Sequence, residues 1–315
     1  NRTIRMVTSA GAVTTIAGQT GVAGNANGTS GLPLTAQFNS SVTGIALKPD
    51  GSTLYITDNQ TIRTITASSP ALVATGTLTV GTLAGASGAL GNLDNATGTL
   101  ARFNSPTGLT VDSSGNLYVA DSKNDTVRLV TLAGAVSTIA GSPIAFGSTD
   151  GVGSAALFNF PKGVAPDASG NVYIADTSNH TIRKIASDGT VTTIAGTPGT
   201  TGSTDGAGAS ALFNNPAAVA VDSAGNVYVA DRGNRTVRKI VFTTSPDTVT
   251  VSTVAGSVGS NGSSDGTAGV GGTARFSLPN GIAVKPDGTV IYVADQGNHT
   301  IRKIASGSVT TLAGL

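Results

Sequence analysis

Five aspartates recur at the ends of similar phrases, and carboxylates gathered in this way could hold a metal ion. The phrase YVADSKNDTVRLV at residues 118–130 returns as YIADTSNHTIRKI, YVADRGNRTVRKI and YVADQGNHTIRKI. Because carboxylate oxygens are the ligands that Ca²⁺ takes, a ring of these side chains is one hypothesis. The recurring residues are Asp58, Asp121, Asp176, Asp231 and Asp295.

A structural role for these aspartates is favoured, because a structural role predicts one copy in every repeat and a single site does not. Where the spacing is full, an Arg follows the Asp by seven residues, and the two charges can pair. Each Asp is also expected to accept backbone N–H bonds in its own turn. The predicted pairs are Asp121 with Arg128, Asp176 with Arg183, Asp231 with Arg238, and Asp295 with Arg302.

The two histidines are the other candidates for chemistry, since His is the most frequent general base. His180 and His299 occupy one position of the repeat, and a position that tolerates many residue types is predicted to be an exposed turn. Catalysis by either is therefore not favoured. The same position elsewhere holds Arg2, Gln60, Asp125 and Arg235.

Three long links carry Asp-Gly after hydroxylated residues: FGSTDGVG (146–153), TGSTDGAG (201–208) and NGSSDGTAG (261–269). Weak Ca²⁺ binding stays open, but one carboxylate per loop falls far short of an EF-hand. Gly-rich Ω-type turns are the favoured interpretation. These loops are predicted to share a face with the Asp-x-x-Asn turns, where a partner would dock.

Composition excludes several classes of function. The net charge is +1 and no Lys or Arg run occurs, so nucleic-acid binding is not expected. Without Cys or a histidine pair beside carboxylates, neither disulfides nor a zinc site is predicted, and no cofactor is expected. No apolar run approaches the ~20 residues of a membrane span. Because the chain opens at Asn1 rather than Met, we expect a processed or excised piece.

The elements that position these residues are short strands. GLTVD (108–112), LYVAD (117–121), TVRLV (126–130) and VSTIAG (136–141) are β-branched and separated by turn residues. Four antiparallel strands of this kind form one blade of a β-propeller. All seventeen acids are Asp, and the best helix-forming residues are scarce, so an all-β chain is predicted.

Counting the four strand phrases predicts five complete blades and an N-terminal half blade, within a single domain over 1–315. A six-bladed ring with an incomplete first blade is expected. Local deviations are expected at the shortened turn of 56–65 and at Pro166, where the inner strand would pair. The half blade is 1–18, and the blades are approximately 38–85, 103–141, 158–196, 213–256 and 276–314.

The phrases Pro-x-Gly-[ILV], Ala-Asp-x-x-Asn-x-Thr-[IV]-Arg and Thr-[IVL]-Ala-Gly resemble NHL repeats, in the form common in bacterial multi-repeat surface proteins. The resemblance covers essentially the whole chain and implies a β-propeller. It implies no single function, because the family includes lyases, RNA binders, receptor ectodomains and scaffolds.

One position of the repeat, directly before the inner strand, is where an enzyme of this fold would place its catalytic residues. Propeller lyases and lactonases place metal ligands and an acid or base around the mouth of the central channel, as the resemblance implies. The set here has no carboxylate and no His, so a metal-assisted site is unsupported, although Lys162 could orient an anion. The channel-mouth residues, which are also the candidate partner face, are Thr43, Thr107, Lys162, Ala217 and Asn280.

These observations favour a non-catalytic scaffold or interaction module, extracellular or on the cell surface, with the periplasm as an alternative. Its expected partner is a protein. A propeller lyase or lactonase is the alternative function. The two strands that the half blade lacks come either from upstream in a longer chain, which is favoured, or from a neighbouring copy, which would make the protein self-assembling.

Overall fold

The computed structural model describes residues 1–67, 77–243 and 248–314. In these ranges the chain consists of β-strands, short 3₁₀ turns and loops, and no α-helix occurs. Two compact units are formed, Asn1–Ala145 and Phe146–Leu315. In the described ranges, five antiparallel sheets of four or five strands follow a two-stranded hairpin, which confirms an all-β chain and a β-propeller with five blades.

The first unit contains an N-terminal hairpin and two four-stranded blades. In each blade the strands lie side by side in the order of the sequence. The strands are β1 (Ile4–Val7), β2 (Val13–Ala17), β3 (Val42–Leu47), β4 (Thr53–Asp58), β5 (Thr61–Ala67), β6 (Leu78–Gly85), β7 (Pro106–Val111), β8 (Leu117–Asp121), β9 (Thr126–Val130) and β10 (Val136–Gly141).

The second unit contains three blades, each with four main strands and a two-residue strand added to the outer edge. The third blade is β11 (Gly151–Val152), β12 (Pro161–Pro166), β13 (Val172–Asp176), β14 (Thr181–Ile185) and β15 (Thr190–Ala195). The fourth and fifth are β16 (Gly206–Ala207), β17 (Pro216–Val221), β18 (Val227–Asp231), β19 (Thr236–Phe242), β20 (Val249–Gly256), β21 (Gly266–Thr267), β22 (Pro279–Val284), β23 (Val290–Asp295), β24 (Thr300–Ala305) and β25 (Ser308–Ala313).

Short 3₁₀ helices connect some of these strands. They are Pro33–Thr35, Gly98–Leu100, Ser122–Asn124, Gly153–Ala155, Thr177–Asn179 and Gln296–Asn298. Along the described chain, no helix has the length and apolar character to cross a bilayer.

The predicted strand phrases are confirmed closely in the second blade, where β8, β9 and β10 have the predicted bounds. β7 begins two residues earlier than the phrase and ends one residue earlier. The link between β7 and β8 turns through Gly115, whose φ of 85° is a conformation that favours glycine.

Within each unit, the first strands of successive blades lie against each other, and small residues make this approach possible. A Cβ on Gly44 would lie 2.2 Å from the Thr107 carbonyl oxygen, and one on Gly163 would lie 2.5 Å from Ala218 Cα. The second strand is covered on both sides in the third and fourth blades, where all five residues of β13 and of β18 are buried. Hydrophobic side chains between neighbouring blades form the core.

The two expected deviations turn out differently. Pro166 is the last residue of β12 and lies opposite Val172, so the ladder of the third blade is not interrupted and the expected disturbance is wrong. A proline is tolerated there because β12 is an edge strand of its sheet. In the first blade, β4 and β5 are joined by Asn59 and Gln60 alone, without the 3₁₀ turn that the second, third and fifth blades have at this point.

Candidate functional site

A buried arginine lies at the centre of every blade. In the third blade, Arg183 is fully buried, and its Nη1 donates to Asp176 at 2.9 Å and to the Leu157 carbonyl at 2.9 Å. The guanidinium carbon lies 5.2 Å from the centre of the Phe158 ring. A planar cation between a carboxylate and an aromatic face is stabilised by both. The corresponding arginines are Arg63, Arg128, Arg238 and Arg302.

The strand-end carboxylates are occupied by protein donors. Asp176 accepts the backbone N–H of Asn159 at 2.8 Å and the side-chain N–H of Asn179 at 2.7 Å. The backbone donor precedes the first strand of the blade, so the expectation of N–H bonds within the same turn is wrong. Burial raises the pKa of this carboxyl to about 6, and its hydrogen bonds oppose that shift.

The predicted Asp–Arg pairs lie within contact distance in each blade. Asp121 and Arg128 are 2.7 Å apart, Asp231 and Arg238 are 3.0 Å apart, and Asp295 and Arg302 are 3.7 Å apart. The first blade has the pair as well, although its turn is two residues shorter, because Arg63 Nη1 lies 2.9 Å from Asp58.

The Asp-Gly loops have a role that the sequence analysis missed. Asp150 accepts from Arg183 Nη2 at 2.7 Å and from the Thr193 backbone and hydroxyl at 3.1 and 3.0 Å. The next two residues form β11 and pair with β15, so the interpretation of this loop as an Ω-type turn is wrong. The loop therefore fastens the arginine to the outer strand.

Equivalent residues do the same in the other blades, as Asp94, Asp205 and Asp265, and as Asn27 in the first blade. We call each set of strand-end Asp, buried Arg and loop Asp or Asn an arginine cluster. It also includes the entry Phe, which is the phenylalanine that precedes the first strand of the blade and lies against the buried Arg, as Phe158 does. The sequence signal for the loop aspartate was the Asp-Gly phrase, which recurs before each of the last three buried arginines.

The loops also contact the Asp-x-x-Asn turns. Asn179 donates to the Gly147 carbonyl at 2.6 Å, and Asn234 donates to the Gly202 carbonyl at 2.5 Å. The beginning of each of these loops thus lies beside the turn of its own blade.

The predicted channel-mouth residues sit on the first strands, and the side chain of Thr43 joins two blades. In the first unit, the Thr43 hydroxyl lies 3.0 Å from that of Thr57 and donates to the Pro106 carbonyl at 3.1 Å. The Thr107 hydroxyl lies 2.6 Å from that of Ser122. Thr43 thereby contacts the second blade, and Thr107 contacts the 3₁₀ turn of its own blade.

In the second unit, the Lys162 ammonium lies 5.4 Å from the centre of the Phe160 ring. Burial lowers the pKa of Lys162, and the charge of Arg232 lowers it further. Ala217 is buried and Asn280 is half-buried. Over the described ranges, no three His, Cys, Asp or Glu side chains come close enough to hold a metal ion.

The two histidines occupy left-handed turn positions, with φ of 60° and 58°. His299 is exposed, as predicted. His180 is half-buried, because its Nδ1 accepts the backbone N–H of Asn215 at 3.1 Å, and burial lowers its pKa. The expectation of exposure is therefore wrong for His180.

The N-terminal hairpin has an open edge. β1 pairs with β2 on one side, and no other described strand joins it. A groove between β1 and β3 is lined by Thr3, Ile4, Arg5 and residues 42–45. Ile45 is 53 % exposed there, whereas Leu109 and Val219, at the same position of later blades, are each 6 % exposed. The first blade thus lacks the cover that the later blades have.

Comparison with known proteins matches the same repeat. A model described as the NHL repeat matches residues 103–128 and 158–185, which run from the entry phenylalanine to the buried arginine or just past it. A second, described as the teneurin NHL domain, matches residues 198–305. The chain carries NHL repeats.

Relatives with NHL repeats are longer proteins. Human NHL repeat-containing protein 2 is 36% identical over 160 residues, which is 47% of this chain and 22% of that protein. The chain thus spans less than a quarter of the length of that relative. The match is to a eukaryotic protein, so it does not support the bacterial surface type suggested by the resemblance.

Two solved structures share the fold. An auxiliary nutrient binding protein from Bacteroides thetaiotaomicron is 17% identical, with a TM-score of 0.58 over 88% of this chain and 61% of that one. A gluconolactonase from Xanthomonas campestris is 13% identical, with a TM-score of 0.54 over 84% and 72%. At these identities the likeness of this chain to both concerns the fold alone.

Proposed function

We propose that the chain is a non-catalytic protein-interaction module, extracellular or at the cell surface, that binds protein through the open edge of its N-terminal hairpin. The observation that supports this is the exposure of Ile45 at a position that the second, third and fourth blades bury. An unpaired strand edge beside exposed apolar side chains is a template for another strand. The low-charge surface rich in Thr, Ser and Gly supports the proposed location.

The partner in this proposal is another protein or a second copy of the chain. Self-assembly would fill the half blade between copies and give a scaffold that grows. Light scattering over a concentration series tests this form of the proposal. A mass that rises with concentration, and that returns to the monomer mass after removal of residues 1–18, would support self-assembly. A constant monomer mass would leave binding of a different protein.

The alternative is a propeller lyase or lactonase acting on a small molecule at the channel mouth. Its support is the fold shared with such enzymes. The channel-mouth residues count against it, because they supply no acid and no His. They are Thr43, Thr107, Lys162, Ala217 and Asn280. Metal analysis of protein purified without chelator separates the two functions. Tight metal binding or lactone turnover that Lys162→Ala removes would overturn the non-catalytic proposal.

A further inference from the structure

We propose that Asn27 is a modification site, where the side-chain amide is lost and an aspartate forms that completes the arginine cluster of the first blade. The reaction needs only water, and it does not depend on the protein partner proposed above. Asn27 is followed by Gly28, and both residues are exposed. In an Asn-Gly pair the backbone nitrogen reaches the side-chain amide readily, because glycine has no Cβ to shield it.

Asn27 occupies a position that holds an aspartate in each of the other four described blades. Arg63 Nη2 donates to Asn27 Oδ1 at 2.8 Å and to the carbonyl of the preceding residue at 3.2 Å. In the third blade, Arg183 Nη2 donates in the same way to Asp150 Oδ1 at 2.7 Å and to the preceding carbonyl at 3.0 Å. The corresponding residues of the remaining blades are Asp94, Asp205 and Asp265.

An amide fits this position less well than a carboxylate does. In the third blade, Thr193 donates its backbone N–H to Asp150 Oδ2 at 3.1 Å. The second polar atom of the Asn27 side chain is a nitrogen, which donates and cannot accept the N–H of Thr82. The Thr82 hydroxyl also lies 3.4 Å from Asn27 Oδ1, whereas the equivalent distances in the other blades are 2.9–3.1 Å. An oxygen in place of that nitrogen would supply the missing acceptor.

The reaction proceeds in two steps at the Asn27 side chain. The Gly28 nitrogen gives up its proton to hydroxide and bonds to Asn27 Cγ, and the side-chain nitrogen takes a proton from water and leaves as ammonia. A cyclic imide remains. Water then adds to Cγ and breaks the bond from Cγ to the Gly28 nitrogen, which regains a proton, so that position 27 becomes an aspartate. Water that adds to the main-chain carbonyl carbon instead gives isoaspartate, whose backbone is longer by one atom.

Arg63 is placed to promote both steps and to select the aspartate. Its Nη2 binds Asn27 Oδ1, the oxygen that carries negative charge whenever Cγ is attacked. A fixed cationic donor at a developing oxyanion lowers the barrier to that attack. In the described ranges no hydrogen bond involves the Gly28 N–H, so no carbonyl holds the proton that has to leave.

Two other Asn-Gly pairs occur in the chain, and their surroundings differ. After Asn261, the Gly262 N–H donates to the Phe276 carbonyl at 3.3 Å. Asn280 and the glycine that follows it belong to β22, which is paired with β23. Extended backbone in a paired strand resists the ring closure that imide formation requires. These two asparagines are therefore internal controls.

The test follows the purified full chain over time at pH 7 and pH 8 by peptide mapping, with fragmentation that separates aspartate from isoaspartate. We expect Asn27 to convert about tenfold faster than Asn261 and Asn280, because a charged donor is bound at its reacting amide. Aspartate should be the main product. A peptide of residues 23–31, AGNANGTSG, has no counterpart of Arg63 and should give mainly isoaspartate.

Hydrogen exchange provides a second readout. The backbone amide of Thr82 should exchange more slowly in the Asn27→Asp variant than in freshly purified native chain, and the aged native chain should approach the variant. Equal exchange in the variant and the fresh chain would overturn the proposal. So would an Asn27 that converts no faster than the two control asparagines, or isoaspartate as the main product in the full chain. None of these readouts involves a partner, so they are separate from the light-scattering test of the proposed function.

Discussion

Asp231 and Arg238 form an ion pair 3.0 Å long in which the two side chains are 0 % and 1 % exposed. A buried pair of this kind adds little stability over an apolar pair of the same shape, but loss of one partner leaves an uncompensated charge. The same arrangement occurs in all five blades. The arginine clusters therefore make each blade sensitive to single substitutions.

Removal of one carboxylate from a cluster is expected to be costly. Asp176→Ala should lower the free energy of unfolding by about 3–5 kcal/mol, because Arg183 stays buried without its carboxylate. Urea denaturation followed by circular dichroism measures the change. Asp188→Ala, at an exposed turn, is the control and should alter stability little. Equal effects of the two substitutions would contradict a stabilising role for the cluster.

Stability should depend on pH through the buried carboxyls. Burial raises the pKa of Asp121, Asp176 and Asp231 to about 6, above their ordinary value of 3.8. A carboxyl whose pKa is higher in the folded chain stabilises that chain fully below the unfolded pKa, and the contribution is lost as pH rises through about 6. We therefore expect the free energy of unfolding to increase as pH falls from 7 to 5.

The pH experiment needs a background without His180. Burial lowers the pKa of His180, so its contribution is present at pH 7 and is lost as pH falls. Urea unfolding of His180→Gln at pH 7, 6 and 5 isolates the carboxyls. Adding Asp231→Asn should reduce the increase, since one of the buried carboxyls with a raised pKa is removed. A fall in stability over this range would refute the assignment.

The loop aspartate should be replaceable by asparagine. Asn27 accepts from Arg63 at 2.8 Å in the first blade, in the place that Asp150 has in the third. We expect Asp150→Asn to keep the loop attached and Asp150→Ala to release it, at a cost of about 1 kcal/mol or more. Hydrogen exchange of the backbone amides of residues 151 and 152 reports on the attachment. Fast exchange in both variants would mean that the negative charge is essential.

Two glycines with similar backbone angles should respond differently to alanine. Gly256 has a φ of 94°, and a Cβ there would lie 2.4 Å from the Arg235 carbonyl oxygen. Gly259 has a φ of 72° and open space around it. Gly259→Ala should cost about 1 kcal/mol from backbone strain alone, and Gly256→Ala should cost clearly more. Thermal melts of both variants measure the difference, and equal costs would contradict the close approach.

Local patterns predicted the strands well and the long-range contacts less well. β8, β9 and β10 follow from β-branched runs between turn residues, because each signal lies within the segment itself. The bond between Asp150 and Thr193 joins residues 43 positions apart, and it depends on the path of the loop around the outer strand. No local pattern specifies that path.

The candidate site was predictable only in part. Counting strand phrases predicted two strands within residues 1–18, and β1 and β2 pair with each other there. The exposure of Ile45 becomes evident only when the later blades provide the comparison. The half-burial of His180 likewise depends on Asn215, which precedes the next blade in the chain.

Each arginine cluster takes its residues from one blade and from the loop that precedes that blade, as Asp205, Phe213, Asp231 and Arg238 show. The stretch of sequence that carries one whole cluster therefore begins at the Asp-Gly loop rather than at the first strand. A gene duplication with that boundary copies a complete set of charges and leaves no lone arginine behind.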